Sequence, residues 1–317
     1  CERGCTHGPL VLPFAFGWGK SSGTTGMIDV LFRGARVWVV IALFLVSACS
    51  STTYVYNRLD FLLPWYMDDY VDLTAEQEAY LDELLVPFLA WHRAQELPVY
   101  LTALNNIEDS LDSPLTAEIV GTLFTNFESA WLRLQSEGLT QLLDLGARLS
   151  DEQIAAFLEA LWEQQREFEE EYLERSEAEF YEDNYDNTLD TFQDYIGKLS
   201  DVQRQWVRDS SRQLLRSDQV WLQERALWLT QLAVLLERKP GWQQRVRAAI
   251  SARDDTASPD YQRIYEHNMD AIYQLTAQIL NARSERQSRY LKDKLTDIRQ
   301  DLEALIAQGK AATAAAG

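Results

Sequence analysis

The sequence predicts an all-α protein: an elongated antiparallel bundle of about seven to nine helices behind a cleaved N-terminal segment. Two observations predict the helices. After residue 49 the chain holds only seven glycines and six prolines and is rich in leucine, alanine, glutamine and glutamate, a composition that favours helices. No run of residues alternates between apolar and polar for long enough to indicate a strand.

The first segment of the chain indicates processing rather than folding. Residues 1–26 have no helical or strand periodicity and are interpreted as a non-native upstream extension. Residues 27–48 follow the plan of a signal peptide, with Arg33 and Arg36 in a positive region and an apolar region over 37–46. Because a transmembrane helix needs about 20 apolar residues, we predict cleavage and not a permanent span.

Residues 46–49, Val-Ser-Ala-Cys, resemble the bacterial lipobox. The resemblance implies cleavage between Ala48 and Cys49 and a covalent acyl/diacylglycerol lipid on Cys49, whose thiol forms the thioether, with no other cofactor. Two or more chains anchor a protein stably, at about 0.8 kcal/mol per buried CH₂. Ser50 stands where an inner-membrane retention signal has aspartate, which implies an outer-membrane lipoprotein on the periplasmic face, given a Gram-negative host.

The mature chain is strongly acidic. Without residues 1–48 it holds 25 basic and 47 acidic residues, a net charge of −22. Such a surface repels nucleic acid, so the expected partners are the membrane, through the lipid, and another envelope protein. All three cysteines lie at or before residue 49, and a domain of this size can fold without a disulfide.

Helix beginnings are the clearest local signals. Residues 49–53 form the lipidated N-terminus and a short tether, and a first apolar helix covers 54–66, stopped near Pro64. Four later starts share the pattern Leu-Thr/Ser, in which the hydroxyl caps the helix. In three of them a glutamine three residues after the cap completes a capping box. The caps are Thr74, Thr116, Ser150 and Ser200, and the glutamines are Gln77, Gln153 and Gln203.

These starts and the apolar periodicity divide the domain, residues 54–309, into long helices. Two helices begin with proline in the first turn, at Pro240 and Pro259, and the second of them reaches residue 308. Residues 310–317 are predicted to be a disordered tail. The other predicted helices cover 74–95 with a kink at Pro87, 98–111, 116–134, 150–181 and 200–238.

The Leu-Thr/Ser-x-x-Gln pattern also resembles the paired LTxxQ motif of small periplasmic chaperones and stress sensors. The resemblance covers five residues at a time. A capping box explains the same residues by local hydrogen bonds, so the structural role is the favoured interpretation.

No catalytic motif is present: the chain has no H-E-x-x-H, G-x-S-x-G, P-loop or dinucleotide fingerprint. Asp68, Asp69 and Asp72 lie close together, and paired carboxylates can act as general acid and base, so one alternative is a periplasmic hydrolase of glycan or peptidoglycan. Acidic and aromatic residues alternate over 163–186, which suggests a divalent-cation binder as another alternative. A solvated helix with a buried aromatic side is the favoured interpretation of that segment, and no metal ligands are assigned.

Candidate interaction residues surround the first helix and the pair of Trp91 and His92. On a helix, His92 is interpreted as packed or interfacial rather than as a catalytic base. The interaction candidates are Tyr56, Asp60, Trp65, Tyr66, Asp68, Asp69, Trp91 and His92.

These candidates lie in segments that resemble an uncharacterised family of proteobacterial lipoproteins, domain of unknown function number 6279. The resemblance implies an outer-membrane setting and supplies no activity and no site residues. From the predicted anchor, the amphipathic helices and the missing catalytic motifs, we expect a non-enzymatic envelope protein, a membrane-held helical module that binds another protein as a scaffold or chaperone-like binder. The segments that resemble the family are Tyr56-Asn57-Arg58-Leu59-Asp60, Pro64-Trp65-Tyr66, Asp68-Asp69-Tyr70, Leu73-Thr74-x-Glu76-Gln77, Ala90-Trp91-His92-Arg93 and Glu96-Leu97-Pro98.

Overall fold

A computed structural model describes residues 51–316 of the chain. The predicted upstream extension, signal peptide, cleavage position and lipidated Cys49 lie outside the described residues. Within helices, side chains are left undescribed at Ser51, Thr52, Tyr54, Asp60, Asp254 and 312–316.

Every regular element in the described range is helical, which confirms the all-α class. Ten of the α-helices described there are ten residues or longer. None of the described helices is both long and apolar enough to cross a membrane. The elements are α1 Ser51–Tyr56, α2 Leu59–Met67, α3 Ala75–Trp91, a π-helical turn His92–Glu96, α4 Leu97–Ser110, α5 Ala117–Gly146, α6 Asp151–Glu174, α7 Glu177–Ile196, α8 Asp201–Ser211, α9 Asp218–Leu235, α10 Trp242–Ser251, α11 Arg253–Thr256, α12 Pro259–Asn281 and α13 Glu285–Ala316.

The described chain divides into two compact units. Unit 1 comprises residues 111–128 and 162–288, and unit 2 comprises 51–110, 129–161 and 289–316. Unit 2 has two apolar clusters, one around Tyr56 and Leu97 and one around Leu81 and Leu145. In unit 1, Leu115 of the segment before α5 packs with Ala277 of α12.

The three predicted capping boxes are confirmed. In each box the glutamine side chain accepts from the backbone N–H of the capping residue, and the capping hydroxyl accepts from the backbone N–H of the glutamine. Thr116 caps α5 in the same way, through the N–H of Ile119. These local bonds satisfy donors that the first helical turn leaves without a partner.

The glutamines of these boxes also pair with one another. In unit 2 the Gln77 and Gln153 amides exchange hydrogen bonds of 2.9 and 2.8 Å. In unit 1 Gln203 pairs with Gln287 at 3.2 and 2.9 Å. Each amide therefore closes its own helix start and ties it to a second helix start within the same unit.

Each paired glutamine uses its remaining N–H on a backbone carbonyl beside the partner's helix. Gln153 donates to the carbonyl of Asp72 at 2.6 Å, and Gln287 donates to that of Lys198 at 3.2 Å. Both hydrogens and the oxygen of each amide are thus hydrogen-bonded, which restrains the side chain.

Two predicted long helices are wrong because each divides in two. The helix predicted over 150–181 ends at Glu174, and α7 begins after Ser176, which forms a capping box with Glu179. The helix predicted over 200–238 is interrupted between Ser211 and Asp218. There the side-chain amide of Asn268 bonds both the N–H and the carbonyl of Leu215, at 2.8 and 2.9 Å, and so holds a non-helical peptide in place.

The C-terminal predictions also need correction. The single helix predicted from Pro259 divides at Ala282, and α13 begins behind Ser284, which forms a capping box with Gln287. The start at Pro259 behind Ser258 is confirmed. α10 begins at Trp242 and not at Pro240. α13 continues to Ala316 across the predicted tail, where alanines have the highest helix propensity.

Three other predicted helix boundaries also differ from the structure. The helices predicted over 74–95 and 98–111 form one uninterrupted helical run through the π-helical turn, and α5 extends beyond residue 134 to Gly146. The first apolar helix instead becomes α1 and α2, and Pro64 lies within α2.

Candidate functional site

The π-helical turn of unit 2 forms the polar centre of that unit. Here the backbone N–H of Leu97 bonds the carbonyl of His92, five residues earlier. Pro98 follows directly; it has no N–H, and its ring would clash with the carbonyl four residues before it in a regular α-helix. The wider turn accommodates this proline. π-Helical turns occur frequently at functional sites, and this one carries His92 and Glu96 into the interior.

His92 is only 6% exposed and contacts aromatic rings on several sides. Its Nδ1 lies 2.8 Å from the hydroxyl of Tyr56, which is itself buried. The ring of Tyr100 stands edge-on to it, with centroids 5.5 Å apart, and the Trp91 ring is 6.2 Å away. The structure thus brings together three of the predicted interaction residues, Tyr56, Trp91 and His92.

Glu96 is 3% exposed and forms a two-pronged ion pair with Arg133 of α5. The two carboxylate oxygens accept from Nε and Nη2 of Arg133 at 2.8 and 3.0 Å. Geometry of this kind is among the strongest that a carboxylate makes in proteins. The pair fixes the π-helical turn against α5 within unit 2.

Burial keeps His92, Tyr56 and Tyr100 neutral. It lowers the pKa of His92 to about 4 and raises that of Tyr56 to about 12. It also raises the pKa of Tyr100. At neutral pH the cluster therefore contains a neutral imidazole hydrogen-bonded to a neutral phenol. Because His92 and Glu96 expose so little surface, a substrate would have no direct access to either group, and the arrangement is that of a packed polar core.

We expect His92 to make the protein acid-sensitive. The unfolded chain takes up a proton near the ordinary histidine pKa of 6.5, whereas folded His92 stays neutral to about pH 4. The contribution of neutral His92 to the free energy of unfolding is fully present above pH 6.5. It falls by about 3 kcal/mol as the pH drops from 6.5 to 4. Urea denaturation of the wild type and of His92→Phe at pH 7 and pH 4.5 measures this, and the variant should lose less stability between the two.

The matched control for this measurement is His267→Phe at an exposed histidine of unit 1. Its loss of stability between the two pH values is the reference for removing a histidine from the surface. Equal losses in the wild type and His92→Phe would contradict the assignment.

A surface without charge lies on α9 in unit 1. We call it the α9 face; its members are the exposed residues of that helix, and all of them are uncharged in a chain that is otherwise strongly acidic. Leu227 and Val234 are 65% and 60% exposed and, seven residues apart, lie on the same side of the helix. The residues of the α9 face are Gln219, Gln223, Leu227, Thr230, Gln231 and Val234.

The charged residues of α9 are not exposed and are engaged in contacts within unit 1. Asp218 is buried and bonds Arg175. Arg225 donates to the side chains of Gln164 and Gln165 of α6 at 2.7 Å each. Glu224 accepts from the backbone N–H of Ser258 at 3.1 Å. The fold thus places the charges of this helix in contacts and leaves its neutral residues at the surface.

The other predicted interaction residues lie on α2 and the turn after it. Trp65 is 44% exposed, whereas the Tyr66 hydroxyl donates to that of Tyr70 at 2.8 Å. Asp68 is exposed and Asp69 is half-buried. The side chain of Asp60 lies outside the described residues.

The two alternative sites receive no support from this geometry. Asp68 and Asp72 are exposed at a turn, whereas a catalytic carboxylate pair depends on burial to separate the two roles. In the acidic segment 163–186, carboxylates form caps and ion pairs, such as Asp183 with Arg175 at 2.9 Å. Among the described residues, no three histidine, cysteine, aspartate or glutamate side chains are grouped so that they could hold a metal ion.

Sequence reasoning missed Glu96, Arg133 and Gln287. The fourth glutamine was detectable, because Ser284-x-x-Gln287 repeats the capping pattern of the other three. No local signal connects Glu96 with Arg133, which lie 37 residues apart.

Comparisons with known proteins give one result. No curated protein and no solved structure matches the chain. The model of a family of unknown function, DUF6279, matches residues 69–262, a range that includes His92, Glu96, Arg133 and all of α9 but not Tyr56. Since this range covers more than half of the chain, the chain belongs to the DUF6279 family, as the sequence resemblance implied.

Proposed function

We propose that the protein is a lipoprotein of the outer membrane, anchored by acyl chains on Cys49 and facing the periplasm, and that it binds another envelope protein without catalysing a reaction. In this proposal it acts as a scaffold or chaperone-like binder. The observation that carries the binding role is the α9 face.

An uncharged helix face on an acidic protein favours a protein partner. The chain after residue 48 has a net charge of −22. A net charge of this size keeps a protein soluble and opposes non-specific association with other proteins. Apolar side chains exposed along one side of a helix are the usual contacts of a second, amphipathic helix. The partner chemistry that fits is therefore a helix with an uncharged, partly apolar side, met by Leu227 and Val234.

The anchoring role is supported by the start of the fold. α1 spans Ser51–Tyr56, and Tyr56 at its end is 1% exposed in a core cluster of unit 2. Only a few residues separate Cys49 from this buried position, so a lipid on Cys49 would hold unit 2 at the membrane surface without a long linker.

A photo-crosslinking amino acid at position 227 or 234 tests the binding role in intact cells. We expect each position to give one discrete adduct in the membrane fraction, because the partner contacts this side of α9. Leu227→Asp in the chain with the crosslinker at 234 should remove the adduct, since a buried unpaired charge opposes association.

The matched control places the crosslinker at Glu170, an exposed residue of α6 in the same unit. It should give no such adduct. The same set of adducts from all three positions would show that the α9 face is not a binding surface. Circular dichroism of each variant checks that the helical content is retained.

A further inference from the structure

The N-terminal helices of unit 2 leave two large aromatic side chains at the surface. Phe61 is 67% exposed and Trp65 is 44% exposed. Both belong to α2 and lie four residues apart, so they project from the same side of the helix. Arg58, also exposed, is the residue directly before α2. We call these three residues the α2 face.

The opposite side of α2 is built into unit 2. Leu59 is buried with Tyr56, Leu97 and Leu305, and Leu63 packs against the same cluster. Arg93 of the π-helical turn lies over the Tyr56 ring at 4.9 Å and donates to Asn57 at 3.0 Å. Thr53 of α1 donates to Asp301 of α13 at 3.1 Å. These contacts fix the orientation of α1 and α2, so the α2 face is a feature of the folded unit.

The charge distribution sets this segment apart from the rest of the chain. Residues 49–67 carry one basic residue, Arg58, and one acidic residue, Asp60. The entire net charge of −22 therefore lies after residue 67. An anionic membrane surface repels the remainder of the chain but not α1 and α2.

We propose that the α2 face docks on the lipid bilayer, with Phe61 and Trp65 inserted at the interface and Arg58 at the headgroup phosphates. This inference rests on the proposed anchoring at Cys49. Phe61 follows Cys49 by twelve residues, and six of the intervening residues form α1, which is about 9 Å long. Tryptophan and phenylalanine favour the membrane interface, where the rings meet apolar chains and the indole N–H stays hydrated.

A single fluorescent probe at position 61 tests the docking. Since no cysteine follows Cys49, Phe61→Cys introduces the one thiol that remains after acylation, and it can be labelled with an environment-sensitive dye. The processed, acylated chain is then placed in phosphatidylcholine–phosphatidylglycerol vesicles that contain nitroxide-labelled lipid. We expect the probe at 61, and likewise one from Trp65→Cys, to shift to the blue and to lose most of its emission to the nitroxide.

Val86→Cys is the matched control, because Val86 also belongs to unit 2 and is 70% exposed, nearly the same fraction as Phe61. Its probe should keep its emission in the same vesicles. An acylated, vesicle-bound chain whose probe at 61 is quenched no more than that at 86 would overturn the docking and leave the anchoring intact. The mass of the intact chain reports acylation separately, and a chain without acyl groups would overturn both proposals.

Discussion

Asp218→Asn is expected to lower the free energy of unfolding by about 3–5 kcal/mol, because it removes the main partner of a buried arginine. Arg175 bonds the Asp218 carboxylate through Nη2 at 2.6 Å and through Nε at 3.1 Å, and both side chains are almost fully enclosed. Arg175 lies between α6 and α7, and Asp218 opens α9. The pair therefore links the segment between α6 and α7 to the start of α9.

The variant keeps the size of the side chain and removes its charge. Arg175 retains Asp183 at 2.9 Å, and Arg216 loses its bond of 2.8 Å to Asp218. Urea denaturation followed by circular dichroism measures the effect. Asp255→Asn, at an exposed residue of α11 in the same unit, should change the stability by less than about 0.5 kcal/mol. A similar small change in Asp218→Asn would mean that the ion pair contributes little to the fold.

Gln203→Leu is expected to cost about 3 kcal/mol, the second large effect. It removes the bond to the backbone N–H of Ser200, which closes the capping box, and cap losses are typically about 1 kcal/mol. It also leaves the buried amide of Gln287 without its side-chain partner, at a further cost of about 1–3 kcal/mol.

The double variant Gln203→Leu/Gln287→Leu separates pairing from capping. If the two amides act as a pair, the double variant loses less stability than the two single variants together, because no orphaned amide remains. The corresponding cycle in unit 2, with Gln77 and Gln153, should show a smaller coupling because both of those side chains are partly exposed. Strict additivity at 203 and 287 would show that each glutamine acts only within its own helix start.

The helix starts were predictable to the residue where a cap is present. Thr74, Ser150, Ser200 and Ser258 each cap the helix that the sequence predicts there. The same signal exists at Ser176 and Ser284, which cap helices that were not predicted to start there. These starts are legible because a capping box involves residues only three positions apart.

The helix ends and the candidate sites were less predictable. Beyond the end of α8, Asn268 holds the non-helical Leu215 by two hydrogen bonds across 53 residues of sequence. Of the predicted interaction residues, Tyr56 and His92 form one buried contact and Trp65 lies at the surface. The sequence shows that the predicted interaction residues lie near the first helices, but only packing decides which face of a helix is buried.

The sequence by itself determined the all-α class and the main helix starts, because helix propensity and capping depend on neighbouring residues. It also determined the family, through short segments that resemble it. The tertiary structure decided the paired glutamines, the ion pair of Glu96 with Arg133 and the α9 face. These depend on residues 37 to 84 positions apart, or on which side of a helix another element covers. A local pattern states that a helix forms and where it starts; the partner that each face meets is settled only when the chain has packed.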